Sequence, residues 1–414
     1  MRKILHIDLN SFYASVECLL DESLTGFPVA VSGSQSDRHG VVLAKNQLAK
    51  EKGIKTGMTV FQAKKLAPNL MIRETHFDLY IKYSRAVKNL FFEYTDFVES
   101  FGIDEAWLDV TTCRKFGGDA YLIAEDIRKR VKEEIGLTVS IGVSFNKIFA
   151  KLGSDYKKPD AVTVISKENY KQIVFPLAVE SLLYVGRATK LKLNKLNIFT
   201  IGDLAEADEK MLINHLGKWG GILHSYARGE DHDPVRKFLE KDEYKSVGNS
   251  LTFYRDLDNN LDVETLLLLL AESVCSRMRD YGFKYARTVS LSITTNRLDT
   301  ITRMKKMKQP TNVSAEVAGE AMDLFLKNYD WFVNVRGLGI TLSDFTDEEQ
   351  LSFDTDVSKK QKKENLENAI ENLRNRFGRG SINRAVVLRE SKFAELDIKG
   401  HDTNGSLGKN KNHI

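Results

Sequence analysis

The 414-residue chain is poor in several things, and each scarcity narrows what it can be. It has only three cysteines, Cys18, Cys113 and Cys275. They are far apart and match no metal spacing, so they read as free thiols in a reducing compartment, not as a disulfide framework or a zinc site. No long hydrophobic run is present. The longest, Leu266 to Ala271, falls far short of the roughly 20 residues that a membrane span needs. No secretory leader is expected, because Met1-Arg2-Lys3 runs straight into a short strand pattern. There is no internal repeat and no large excess of one charge. The formal net charge is +4, which demands no nucleic-acid partner but can conceal local basic faces. A cytoplasmic protein with no membrane association is expected.

What remains is an ordinary globular composition, 42% hydrophobic and 29% charged, in a chain long enough for two to four domains. The first 165 residues alternate strand and helix patterns. Ile4 to Ile7 reads as a strand that ends at Asp8 and leads into a helix. Pro28 to Ser32 and Gly40 to Ala44 read as two more strands. Between Gly117 and Gly136, Ile123, Ile127, Val131 and Ile135 recur at helical spacing, and Gly136 can close the helix. Leu137 to Ser144 is a strand, and a helix begins at Asn146. Residues 168–232 read as helical, and 226–246 as a polar linker. From Ser246 to Phe345 strands alternate with two helices. Val289, Leu291 and Ile293 share one face of a strand, with Ser290, Ser292 and Thr294 on the other. Beyond Asp347 the chain turns polar. A helix over about 359–377 carries Leu366, Ile370, Leu373 and Phe377 as an apolar stripe, and the final residues read as disordered.

The stretch ESFGIDEAWLDV, Glu99 to Val110, sets Asp104 and Glu105 side by side in an apolar surround. Adjacent residues on a regular strand point to opposite faces, so both can serve one site only at a turn or bulge. A hairpin turning near Ile103-Asp104 would bring them to one end, and Asp8 could join them from a neighbouring strand. Three converging carboxylates repel unless cations lie between them, and hard oxygen ligands suit magnesium. Two magnesium ions so held would clamp the attacking and leaving oxygens of a phosphoryl transfer. The plainer alternative has Asp104 capping a turn, Glu105 facing solvent and Asp8 capping a helix.

Phe12 and Tyr13 adjoin Asp8. One should enter the core, and the other could lie under a sugar and exclude a 2′-hydroxyl. Lys147, Lys151, Lys157 and Lys158 form a basic run, either a solvated face or point charges for a triphosphate. Val185-Gly186-Arg187 and Asn197 to Thr200 separate short helical patterns in the manner of a helix-hairpin-helix, whose backbone N–H groups bind a DNA phosphate without reading sequence.

Taken together, HIDLNSFYASVE, GIDEAWLDVT, SIGVSFNKIFAKLGSDYKKPD, VGRATKLKLNKLNIFTIGDL and KSVGNSLTF resemble, in order, the motifs of the Y-family translesion DNA polymerases. The branch resembled is the Gram-positive UV-damage-repair group of the polymerase IV and UmuC-like proteins. The resemblance implies an α+β multidomain fold with right-hand architecture. The palm would comprise residues 1–10 and 77–165, with small fingers at 11–76. A helix-hairpin-helix thumb would cover 166–233, a linker 234–243, a little finger 244–346 and a tail 347–414. It implies that Asp8, Asp104, Glu105 and the Leu9 carbonyl bind two magnesium ions, with the three acids catalytic. Asn10, Ser11, Phe12, Tyr13, Lys50 and Lys158 would contact the nucleotide, Phe12 under the sugar and Tyr13 as the steric gate. Gly186, Arg187, Ser246 and Gly248 would contact DNA. Gln47 and Lys50 stand where many members carry a triphosphate-gripping Tyr and Arg, and lysine lacks the bidentate geometry of arginine.

The implied activity is template-directed DNA synthesis on a primer-template with deoxynucleoside triphosphates, at low fidelity, by a monomer. Gln350, Leu351 and Phe353 resemble part of a sliding-clamp motif. The rival readings are a non-catalytic DNA-binding repair factor and another palm-type enzyme such as a nucleotide cyclase.

Overall fold

The computed structural model describes residues 2–33, 40–238, 244–347 and 357–394. They divide into two compact units, the first formed by described residues up to 238 and the second by those from 244 onward.

The first unit opens with β1 (Ile4–Leu9), α1 (Phe12–Leu20), β2 (Val29–Ser32), β3 (Val42–Lys45) and the short α2 (Gln47–Glu51). Then come α3 (Val60–Leu66), β4 (Met71–Glu74), α4 (Phe77–Phe91), β5 (Val98–Ser100) and β6 (Glu105–Asp109). After α5 (Ala120–Arg130) follow β7 (Val139–Ser144), α6 (Lys147–Tyr156) and β8 (Val162–Ile165). The principal sheet runs β5-β6-β1-β7-β8, antiparallel except for the β7–β8 pair. Its central strand, β1, is buried along its whole length. β2 and β3, close to where the apolar runs put them, join β4 in a separate three-stranded sheet. The helix expected over 117–136 begins at Ala120, N-capped by Asp119. It ends in a π turn at Val131–Ile135, and Gly136 closes it at φ +81°.

One close approach sets the geometry of the principal sheet. A Cβ on Gly142 of β7 would lie 1.9 Å from the Ala150 carbonyl oxygen of α6, and one on Gly153 would lie 2.9 Å from the Gly142 Cα. With no side chain at either position, α6 rests directly on the strands, with the segment Lys151 to Asp155 above them. Asn146 starts the helix by accepting a hydrogen bond from the Phe149 N–H.

Five short helices complete this unit: α7 (Tyr170–Val174), α8 (Arg187–Asn194), α9 (Ile201–Glu206), α10 (Glu209–Leu216) and α11 (Lys218–Ala227). Their apolar faces close on Leu193, Ile201, Leu204, Leu212 and Leu223. Thr200 caps α9 in a reciprocal capping box with Asp203.

The second unit consists of β9 (Ser246–Leu257), α12 (Asn260–Asp280), β10 (Tyr285–Thr295), β11 (Thr300–Thr311), α13 (Ser314–Asn328) and β12 (Val335–Thr346). The sheet is antiparallel in the order β11-β10-β12-β9. Val289, Leu291 and Ile293 are buried, as their alternation requires, and α12 and α13 supply the other half of that core.

The tail contains the expected helix. The helix α14 (Val357–Phe377) exists, but of its apolar stripe Leu366, Leu373 and Phe377 are 56, 40 and 61% exposed and only Ile370 is half-buried. The buried side chain is Glu367, which accepts hydrogen bonds from Ser314 and Arg384. Glu272 on α12 pairs with both Arg374 and Arg384, and Phe393 stacks on Phe253 in the core. Polar partners on α12 and α13 therefore select the docking face over the helix's own hydrophobicity. Gln350, Leu351 and Phe353 lie outside the described residues, as do those after 394.

Candidate active site

Asp8 is the penultimate residue of β1, and its register partner on β6 is Glu105. Directly opposed residues of an antiparallel pair share a face, so the two carboxylates are cross-strand neighbours. Asp104 precedes Glu105 in the β5–β6 turn, and its carbonyl accepts from the Leu9 N–H at 3.0 Å. The hairpin thus sets all three acids at one end of the two strands, as expected for a turn near Ile103-Asp104. From the other side α4 braces the turn. Ser84 donates to the Ile103 carbonyl, and the buried Lys88 ammonium donates to the Gly102 carbonyl at 2.6 Å.

Four chains of contact tie α6 and its C-terminal extension to these acids. Lys151 Nζ lies 2.8 Å from Glu105 Oε2 and 3.3 Å from Asp8 Oδ2. Lys158 Nζ lies 2.8 Å from Asp8 Oδ2 and 2.7 Å from Asp155. His6, fully buried on β1, holds Nε2 at 3.2 Å from Glu105 Oε2 and Nδ1 at 2.8 Å from the Ser154 hydroxyl. Burial drives the His6 pKa down to about 4, so the ring is neutral at physiological pH.

The carboxylates respond in opposite directions. Burial raises Asp8 against the pull of Lys158 and Lys151. Burial and the Glu105 charge both raise Asp104. Burial would also raise Glu105, but His6 and Lys151 outweigh it and hold that carboxyl below its ordinary range. Lys151 is likewise penalised by burial, and the carboxylates of Asp155, Glu105 and Asp8 more than reverse this and raise its pKa.

Among the described residues no three acidic, histidine or cysteine groups sit close enough to grip an ion as they stand. Ammonium groups stand on the carboxylate oxygens instead. The donor set still suits a hard divalent cation, because it consists of carboxylate oxygens that a cation could take over from the two ammonium groups.

The nucleotide-side residues are arranged around α1. Ser11 turns the chain into the helix at φ +50°. The Asn10 amide spans the Ser140 and Thr138 hydroxyls at 2.8 and 3.2 Å. Phe12 enters the core, 3% exposed, while Tyr13 remains half-buried and feels the Asp104 charge. Lys50 is exposed on α2, where Gln47 bonds to Glu51. Burial of Lys45, and then the Lys50 charge, lower the Lys45 pKa. Gly186 and Arg187 are exposed at the start of α8. In the second unit, Ser246 and Gly248 lie on the edge strand β9, in register with Ser343 and Thr341.

Sequence reasoning missed His6, Ser84, Lys88 and Ser154, and saw Lys151 only as part of a basic run. A signal existed for two of them. Tyr80, Ser84, Val87, Lys88 and Phe91 share one helical face and are all buried, so Ser84 and Lys88 were polar residues on an apolar stripe. His6 carries no such signal, because every β1 residue is buried.

Residues 7–155 match the impB/mucB/samB family, and residues 244–356 match its C-terminal domain. A protein of Acetivibrio thermocellus named DNA polymerase IV is 48% identical, over 94% of this chain and 98% of its own length. A Bacillus subtilis protein named DNA polymerase IV 1 is 37% identical, over 94% of each chain. Among solved structures, a Y-family DNA polymerase chimera superposes with a TM-score of 0.71 at 25% identity, covering 83% of this chain and 99% of its own. The chain has the right-hand α+β polymerase fold that its motifs led one to expect. On relatives this similar over nearly the whole length, the chain belongs to the Y-family DNA polymerases, in the Gram-positive polymerase IV group.

Proposed function

We propose that the three acids at the β1–β6 end are the catalytic centre of this Y-family polymerase and that its cofactor is a pair of magnesium ions. The chain is a DNA-directed DNA polymerase for translesion synthesis, as its relatives' names and family indicate. Its substrates are DNA and deoxynucleoside triphosphates. The observation that carries the site is the cross-strand pairing of Asp8 with Glu105, with Asp104 beside them in the turn.

Asp8, Asp104, Glu105 and the Leu9 carbonyl would hold the metal. When bound, magnesium supplies a lowered pKa for the primer 3′-hydroxyl and charge neutralisation for the departing pyrophosphate. Asp8 and Glu105 orient what they hold, because their strands are fixed in register. Tyr13 closes the space where a 2′-hydroxyl would sit, and Phe12 supports the sugar from the core side. Lys158, paired with Asp8 and Asp155, exchanges those partners for the triphosphate. Lys50 contributes a point charge from α2. The primer oxygen bonds to the α-phosphorus, the bond to the β-phosphate oxygen breaks, and the hydroxyl proton leaves to solvent.

DNA would be held by palm, fingers, thumb and little finger at the boundaries given above. Gly186 and Arg187 would act from the thumb, and Ser246 and Gly248 from the little finger. Such phosphate contacts weaken steeply with salt. We also propose that Gln350, Leu351 and Phe353 dock on the sliding clamp and that the protein acts as a cytoplasmic monomer. Among the described residues no helix is long and apolar enough to cross a membrane. The rival reading, a non-catalytic binding factor, is not favoured, since all three acids are retained.

Primer extension on an undamaged template with magnesium tests the proposal. Wild type is expected to extend the primer. Asp8→Ala and Glu105→Ala are expected to bind the primer-template and not extend it. Extension at the wild-type rate by either variant removes that residue from the centre.

A further inference from the structure

His6 is a buried titratable group for which the mechanism above has no use. It is 0% exposed, with Trp107 edge-on to its ring at 5.1 Å between centroids. Its two nitrogens face different elements: Nδ1 meets Ser154 of α6 at 2.8 Å, and Nε2 meets Glu105 of β6 at 3.2 Å. Glu105 Oε2 also takes the Lys151 ammonium at 2.8 Å, whereas His6 Nε2 has no hydrogen bond elsewhere.

The Ser154 hydroxyl decides which nitrogen carries the ring proton. Its oxygen lies 2.8 Å from His6 Nδ1 and also 2.8 Å from the Lys151 carbonyl, yet it has one proton to donate. If that proton goes to Lys151, Nδ1 must be the protonated nitrogen. Nε2 then turns a bare lone pair on a carboxylate oxygen inside the protein. If the proton goes to Nδ1, Nε2 carries the hydrogen and points it at Glu105. The second arrangement replaces a buried repulsion with a buried attraction, and it sets a second donor beside the Lys151 ammonium on Glu105 Oε2.

We propose that His6 is a positioning residue for the Glu105 carboxylate, with its proton on Nε2 and the Ser154 hydroxyl donating to Nδ1. This rests on the reading of Glu105 as a metal ligand. One oxygen of the carboxylate is steered by the imidazole, and the other is left to face the cation. The relay joins β1, β6 and α6, so the orientation of the ligand is tied to the packing of the helix on the sheet. Donors behind a ligating group commonly change metal affinity by about 10–100-fold when removed.

Two measurements test it. In metal-free protein labelled with 15N-histidine, long-range 1H–15N spectra report which ring nitrogen of His6 is protonated. A protonated Nε2 is expected, and it should persist in Ser154→Ala, where an Nδ1–H would lose its hydroxyl partner. Separately, manganese(II) alone is titrated into the protein and free ion is followed by electron paramagnetic resonance. His6→Leu is expected to bind the ion about 10–100-fold more weakly at unchanged melting temperature. His6→Gln, whose amide N–H can reach Glu105, is expected to recover most of the loss.

A protonated Nδ1 in the wild type overturns the proposal. So does manganese affinity in folded His6→Leu equal to that of wild type. If His6→Leu does not fold, the wild-type tautomer still decides. A wild-type protein that extends primers yet carries its proton on Nδ1 loses this inference alone, whereas failure of extension strikes the polymerase reading.

Discussion

Tyr13 lies flat against Tyr80, with ring centroids 4.3 Å apart and planes 13° apart, and Tyr80 is pinned by a 2.5 Å hydrogen bond to the buried Glu17. The edge of Phe77 closes a second side at 5.9 Å. Two ring contacts thus hold Tyr13 in place. Tyr13→Ala is therefore expected to lower discrimination against ribonucleotides by about 10–200-fold, the range for one lost pocket contact. Single-nucleotide insertion kinetics with matched deoxy- and ribonucleotides measure this. Unchanged discrimination removes Tyr13 from the role of gate.

Lys88 supports the turn that carries Asp104, and burial drives its pKa down to about 8. Lys88→Met keeps an unbranched side chain one heavy atom shorter but strips the donor from the Gly102 carbonyl. A turnover loss of about 10–100-fold at unchanged DNA affinity is expected, since small displacements of a reacting group cost rates of that order. The pH dependence has a definite sign. The folded pKa lies below the unfolded one, so the penalty for burying the charged amine is fully present below pH 8. It is relieved as the pH rises from 8 toward 10.5. Wild type should gain up to about 3 kcal/mol on Lys88→Met across that window, read from urea unfolding at several pH values. A constant difference would mean that Lys88 is not buried as described.

The docked tail makes a stability prediction for the second unit. Phe393 is 2% exposed and stacks on Phe253 at 4.5 Å. Phe393→Ala is expected to cost about 3–5 kcal/mol, the usual range for deleting a buried aromatic side chain. Denaturant unfolding of the full chain checks it. A loss below about 0.5 kcal/mol would show that the segment is not part of the folded unit.

Much of this molecule can be read along the chain because the relevant patterns are short. The alternation at 289–294 predicts which face is buried, since only a strand of period two satisfies it. Asp104 and Glu105, adjacent in an apolar surround, can serve one site only at a turn or bulge, and a turn is there. By contrast, Leu366, Leu373 and Phe377 form a helical stripe that stays exposed, because α12 and α13 offer Glu272 and Ser314 to the other face. A helix's own pattern cannot announce what its neighbour presents.

The sequence by itself determined the strand–turn–helix around Asp8, the hairpin that carries the acid pair, and the set of motifs by which the chain is assigned to its family. Each depends on residues within about a dozen positions of one another, where backbone geometry and side-chain periodicity act directly. Only the tertiary structure decided that Asp8 faces Glu105, that Lys158 and Lys151 stand on their oxygens, and that His6 lies between Glu105 and Ser154. Those meetings depend on the register of β1 against β6 and on the bare approach of Gly142 to Gly153. Register is set by the pairing of strands far apart in the chain, Asp8 and Glu105 being 97 positions apart, and the docking of α6 by a close packing that side-chain periodicity does not encode.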